Sequence, residues 1–259
     1  MTKSATIQTI YAKKSKREPI AMLTCYDATW AKIVDDSGVD VVLVGDSLGM
    51  VVKGESNTLN VSVEEMVYHT KAVKRGISRA HIVADMPFLS FHGSHDDAVM
   101  NAGQLLQAGA NAVKLEGGSD IVPVISRLLS SGIPVMGHVG LMPQHVNAQG
   151  GFVRQGQTDT DRDRIFNDAT AIDQAGVYAM VLEGIPADLA DRITQSTGAP
   201  TIGIGAGPHC DGQVLVLYDV LGLDKAFRPS FVRRYLEGAQ VCTDACKKYV
   251  DDVKNATLL

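Results

Sequence analysis

Short apolar runs recur along the chain, most of them after the same step of a small residue and a glycine: SGVDVVLVGD, AGANAVKLEG, SGIPVMGHVG, AGVYAMVLEG and TGAPTIGIGAG. AMLTCYD and HIVADMP lack that step but share the character of the rest, being short, continuous and rich in β-branched residues. Parallel strands buried on both faces look like this. The pattern predicts eight strands, at about 21–25, 40–45, 81–85, 111–116, 134–138, 178–183, 200–205 and 213–218. Helical stretches lie between them. In SVEEMVYHTKAVKRG, Ser62 is placed to cap the N-terminus, and Glu64 and Glu65 fill the first turn. Lys74, Arg75 and Gly76 close the last turn, where the dipole favours cations and a left-handed cap favours glycine. SHDDAVMNAGQLLQAG repeats that design from Ser94 to Gly109. The small-glycine step is then the cap through which each helix enters the next strand.

Strand and helix alternate throughout with no linker composition, which favours a single α/β domain over residues 1–259, a (β/α)8 TIM barrel. An open doubly wound sheet is the alternative, but every strand looks equally buried. ATIQTIYAKK predicts an extra N-terminal helix plugging the bottom of the barrel. Residues 208–212 are too few for a helix between the last two strands. A long final helix, 230–254, is expected to carry Phe231, Tyr235, Leu236, Ala239, Cys242, Cys246 and Tyr249 on one face.

Composition narrows the class. The 259 residues are 45% hydrophobic and 20% charged, with net charge -5, which argues against a nucleic-acid partner. The one basic cluster, Lys13, Lys14, Lys16 and Arg17, is expected to be a solvated helix end. Four cysteines in a chain this long make no disulfide framework, and Cys242 and Cys246 are expected to fill core. No apolar run reaches the roughly 18 residues of a membrane span, and the polar N-terminus has no apolar leader. A reducing, cytoplasmic compartment is expected.

In a barrel, chemistry sits at the C-terminal ends of the strands. Read in order, those ends carry Asp46 and Ser47, then Asp85, then Lys114 and Glu116, then His138, then Glu183. Helix-capping carboxylates explain one such end, but not a lysine and a glutamate at the end of an apolar strand. Carboxylates gathered on neighbouring strands repel, and a hard divalent cation relieves them. Asp46 and Asp85 fit Mg2+ as direct ligands, with Glu116 as a third or as acceptor for a bound water. Lys114 suits an anionic, carbonyl-bearing substrate; a Schiff base is its other use. Glu183 lies apart from the cation carboxylates in sequence and is the candidate general base. His138 is positioned to hydrogen-bond a substrate carboxylate. His92 and His95 beside Asp96 and Asp97 read as a helix start rather than ligands. The glycines at 203, 205 and 207 let backbone N–H groups approach a ligand, but their spacing matches no dinucleotide fingerprint.

VGDSLGM, VADMPF, VKLEGG, GHVGLMPQ, GGFVRQG, LEGIP, IGIGAG and CDGQVLV run from about residue 20 to the start of the last helix. With these motifs the chain resembles the 3-methyl-2-oxobutanoate (ketopantoate) hydroxymethyltransferase family. The resemblance implies a barrel of the phosphoenolpyruvate mutase/isocitrate lyase type, Mg2+, a 5,10-methylenetetrahydrofolate cosubstrate, a homodecamer and a place in pantothenate biosynthesis. Carried over by motif, Asp46 and Asp85 hold the metal with Glu116 near it. Asp46, Ser47, Asp85 and Lys114 meet the 2-oxo acid, and Glu183 accepts the proton. The family usually has a basic residue where this chain has Gln157. Three rivals stand beside this reading. A Gly-Asp-Ser-Leu hydrolase needs an Asp-x-x-His to activate Ser47, and none of the seven histidines has an aspartate three residues before it. A C–C lyase of the same superfamily would share metal and enolate chemistry, although the Lys-Lys-Cys-Gly-His loop usual in such lyases is absent. A non-enzymatic barrel would not need so many ionisable strand ends.

Overall fold

The computed structural model of the protein describes residues 4–226 and 229–257. The chain divides into two compact units, one ending at Val214 and the other running from Leu215. Eight parallel strands close into a barrel in sequence order: β1 Ile20–Thr24, β2 Val41–Val44, β3 His81–Asp85, β4 Ala112–Lys114, β5 Val135–Gly140, β6 Ala179–Glu183, β7 Thr201–Ile204 and β8 Gly212–Leu215. Each predicted strand is present, within three residues at either end. The helices of the first unit are α1 Ile7–Lys16, α2 Ala28–Asp36, the single turn α3 Leu48–Val51, α4 Val63–Lys74, α5 His95–Ala108, α6 Val122–Ser130, α7 Asp159–Ala175 and α8 Ala187–Ser196. The second unit contains the turn α9 Leu217–Val220 and the helix α10 Gly238–Lys254. As the spacing required, β7 and β8 are joined without a helix.

Local signals set the helix ends. Ser62 and Glu65 form a reciprocal capping box at α4, and Ser94 accepts from Asp97 N at α5. Gly109 and Gly176 close α5 and α7 in the left-handed conformation. Gly76 departs from expectation, because α4 ends on Arg75 in a right-handed conformation. Gly76 is required for close approach instead: a Cβ there would lie 2.6 Å from the Ala28 carbonyl oxygen of α2. Asp35, at the end of α2, accepts from the backbone N–H groups of Ser78, Arg79 and Ala80 and from the Ser78 hydroxyl. It thereby fixes the turn that feeds β3.

The barrel is filled rather than hollow. Ile20, Met22, Val41, Val83, Ala112, Met136, Val181, Ile202 and Val214 form one buried cluster, and Ile10 of α1 belongs to it at 1% exposure. Helix α1 therefore plugs the bottom as expected. Its basic end is not simply solvated. Lys13 pairs with Asp40 at 3.0 Å, and Lys14 reaches Asp211 at 3.0 Å while donating to the carbonyls of Thr194 and Ala199. These contacts tie the plug to the N-terminal side of the strands.

Two expectations for the C-terminal unit need correction. The last helix begins at Gly238, not at 230, so Phe231, Tyr235 and Leu236 lie before it. Pro229 opens a turn in which Val232 N donates to its carbonyl, and Tyr235 N and Gly238 N donate to Val220 and Leu221. Those bonds take backbone donors that a continuing helix would need. Cys242, Cys246 and Tyr249 lie on an exposed face and fill no core.

Candidate active site

The C-terminal rim of the barrel gathers the predicted ionisable groups. Asp85 ends β3 and Lys114 ends β4, in register with one another. Lys114 Nζ lies 2.9 Å from Asp85 Oδ1. Pairing with β5 continues past Lys114 through Leu115 N to Met136 O and Gly117 N to His138 O. Glu116, two residues on from Lys114, therefore shares its face, and its carboxylate lies 3.8 Å from the ammonium. Asp46 follows β2 after Gly45, and its N–H donates to Asp85 Oδ2 at 3.0 Å. Gly45 matters here because a Cβ on it would lie 2.7 Å from Ser47 Oγ. Asp46, Asp85, Lys114, Glu116 and His138 are each no more than 4% exposed.

His138 connects this buried group to Glu183. Its Nδ1 lies 3.2 Å from Lys114 Nζ and 3.5 Å from Glu116 Oε1, and its Nε2 lies 3.3 Å from Glu183 Oε2. Glu183, at the end of β6, is the more open of the set, with 19% of its side chain exposed. Ser47 Oγ pairs with Tyr26 OH at 2.9 Å, and Tyr26 is buried at the end of β1. The rim thus brings together Asp46, Ser47, Asp85, Lys114, Glu116, His138 and Glu183. His95, Asp96 and Asp97 form the first turn of α5, as expected. Gln157 is exposed, and its side chain donates to Gln155 O.

Two residues here were not anticipated, Tyr26 and Gln144. Gln144 sits in the 3-10 turn Pro143–His145 after β5. Its Nε2 donates to Asp46 Oδ2 and to Met86 O, and its backbone N–H donates to Glu116 Oε2, all at 2.9 Å.

Electrostatics follow from three buried carboxylates facing two bases. Burial, then repulsion from Asp85 and Glu116, holds the Asp46 carboxyl well above its ordinary range. Burial also raises Asp85, although Lys114 opposes this. Burial alone would push the Lys114 ammonium down, but Asp85, Glu116 and Asp46 together override it and keep it charged. Burial and Lys114 both oppose charge on His138, yet Glu116 and Glu183 raise it to about 9. Burial would raise Glu116 too, but its contacts with His138 and Lys114 hold it below the usual range.

A hard divalent cation fits this set. All its candidate donors are carboxylate oxygens. Gln144 Oε1 is buried with no hydrogen-bond partner, and the buried Asp85 Oδ1 has only its 2.9 Å ion pair with Lys114. Nothing among the described residues donates to Asp46 Oδ1. No three Asp, Glu, His or Cys side chains among the described residues form a ready-made cage. Mg2+ does not require one, since it is usually held by one or two carboxylates with waters and substrate completing the shell.

The ketopantoate hydroxymethyltransferase family model matches residues 4–258. The chain is similar to proteins named 3-methyl-2-oxobutanoate hydroxymethyltransferase. That of Trichlorobacter lovleyi is 50% identical, covering 99% of this chain and 97% of the relative. That of Caldicellulosiruptor saccharolyticus is 49% identical, covering 96% and 94%. Among solved structures, a phosphonopyruvate hydrolase complex with oxalate and Mg++ superposes with a TM-score of 0.65 at 13% identity, covering 99% of this chain and 88% of that one. A 2,3-dimethylmalate lyase of the PEP mutase/isocitrate lyase superfamily superposes at 0.61 and 15% identity, covering 82% and 78%. These last two likenesses speak for the barrel alone. Matched from end to end by the family model and by relatives at about half identity, the chain belongs to the ketopantoate hydroxymethyltransferase family, and it is a transferase.

Proposed function

We propose that the protein transfers a hydroxymethyl group from 5,10-methylenetetrahydrofolate to 3-methyl-2-oxobutanoate, giving 2-dehydropantoate for pantothenate synthesis. The observation that carries this reading is the pairing of a buried carboxylate–lysine cluster with a more open carboxylate, Glu183, across His138. Asp46 and Asp85 would hold Mg2+ directly, and Glu116 would hold it directly or through a water. When bound, the cation supplies a Lewis acid for the developing oxyanion, typically worth several kcal/mol.

The chain's own residues do the rest. Lys114, held charged by its carboxylates, attracts the anionic oxo acid and faces the oxygen where charge develops. Ser47, held by Tyr26, donates to the substrate carboxylate. Glu183 removes the C3 proton. His138 has Nδ1 3.2 Å from the Lys114 ammonium and Nε2 3.3 Å from Glu183 Oε2, so it is placed to orient Glu183 rather than to act as the base. The C3 carbanion then attacks the folate's one-carbon unit, and hydrolytic release leaves CH2OH on C3. A cytoplasmic homodecamer is the assembly that the family resemblance supports. Among the described residues no helix is long and apolar enough to cross a membrane.

Hydrogen exchange at C3 tests the assignment of the base. In D2O with Mg2+ and saturating 3-methyl-2-oxobutanoate, wild type should exchange the C3 hydrogen, seen by NMR as loss of methyl splitting. Glu183→Gln should exchange roughly 10²–10⁴-fold more slowly while still binding substrate, as expected when only general-base catalysis is lost. Exchange at the wild-type rate would move the base elsewhere.

A further inference from the structure

We propose that Gln144 is a positioning residue of the cation site, acting through Asp46; the proposal rests on Asp46 being a cation ligand. Gln144 is 3% exposed and uses both amide hydrogens, one on Asp46 Oδ2 and one on Met86 O. With its backbone N–H on Glu116 Oε2, this one loop residue binds the chain beyond β2, β3 and β4 together. The amide orientation is fixed by chemistry. Turned over, Oε1 would face a carboxylate and a carbonyl, two acceptors with no hydrogen between them.

The arrangement separates the roles of the two aspartates. Asp85 has the Lys114 ammonium in contact at 2.9 Å, whereas the hydrogen bond onto the Asp46 carboxyl among the described residues comes from the neutral amide of Gln144. A neutral amide fixes the Asp46 carboxyl in place without bringing a counter-charge of its own, and it leaves Oδ1 as the oxygen for a divalent ion. Gln144 Oε1, buried without a partner, is left as an acceptor for a water in the ion's shell. The loop that presents Gln144 is itself braced. Gln149 accepts from Met142 N at 3.1 Å and donates to Gly140 O at 3.1 Å, and His145 N donates to Met142 O. Outer-shell partners of this kind typically contribute 10–100-fold to metal affinity or activity.

The test is Mn2+ binding to the full chain, followed by the electron paramagnetic resonance signal of free Mn2+ with no substrate present. Gln144→Met keeps the length and removes both donors. Gln144→Asn keeps the amide but falls short by one methylene. Both should bind Mn2+ about 10–100-fold more weakly per folded molecule. Gln149→Met loosens the same loop without touching a carboxylate and should stay within about threefold of wild type, a difference that a merely structural role would erase. If Asp46→Ala loses Mn2+ while both Gln144 variants bind as wild type, the positioning role is wrong and the cation site stands. If Asp46→Ala binds Mn2+ like wild type, the cation site and the role of Gln144 fall together.

Discussion

His81 opens β3 at the bottom of the barrel, where it is 2% exposed and its Nε2 lies 3.2 Å from Tyr178 OH. Burial lowers its pKa to about 4, against an ordinary value of 6.5. Below pH 6.5 the unfolded chain takes up a proton there that the folded chain refuses until about pH 4. Stability from this residue is therefore complete above pH 6.5 and is lost as pH falls through that window. A gap of about 2.5 pH units corresponds to about 3 kcal/mol, of which about 2 kcal/mol should vanish between pH 7.5 and 5.0. His81→Phe keeps the ring volume and does not titrate. It strands the Tyr178 hydroxyl, a cost of about 1–3 kcal/mol that does not vary with pH in this range. Urea unfolding at fixed protein concentration should show wild type ahead at pH 7.5, with its lead shrinking by about 2 kcal/mol at pH 5.0 and unchanged m values. A lead that stays constant within about 0.5 kcal/mol would refute the argument that His81 is kept neutral by burial.

Two further substitutions probe opposite ends of the barrel. Asp35→Ala strands the N–H groups of Ser78, Arg79 and Ala80 and should cost about 3 kcal/mol or more, lowering Tm by roughly 6–12 °C in a thermal melt, with Mn2+ affinity per folded molecule unchanged. Ser47→Ala removes one hydrogen bond to the substrate, about 0.5–1.5 kcal/mol or somewhat more to a carboxylate, so steady-state kinetics should show a raised KM with appreciable kcat. A covalent adduct on Ser47, detected by mass spectrometry, would overturn the binding role.

Much of this was legible in the chain because burial on both faces leaves a local mark. Runs such as VVLV and AMVLE declare a parallel strand without help from the rest of the sequence. Once the barrel is assumed, charge at a strand end becomes a position, which is how Asp46, Asp85, Lys114, Glu116, His138 and Glu183 were found. Gln144 escaped because it is uncharged and lies in a loop. That its amide returns to Asp46, 98 residues away, depends on a turn whose path no periodicity records. The only local hint was Pro143, which fixes the start of the turn. Tyr26 escaped because an aromatic residue after a strand reads first as packing. The apolar residues of α10 misled in the opposite direction: spacing shows that Cys242, Cys246 and Tyr249 share a face, but not whether anything covers it. The lysines of α1 looked solvated because their partners, Asp40 and Asp211, are distant in sequence.

The central claim is a cation-assisted, folate-dependent carbon–carbon bond formation on an oxo acid. It is tested most directly by following the loss of 3-methyl-2-oxobutanoate with and without 5,10-methylenetetrahydrofolate, and with and without EDTA. Loss should require the folate, stop with EDTA and return when excess Mg2+ is added. Turnover that persists in EDTA, or cleavage of 2-methylisocitrate without folate in place of this reaction, would contradict it.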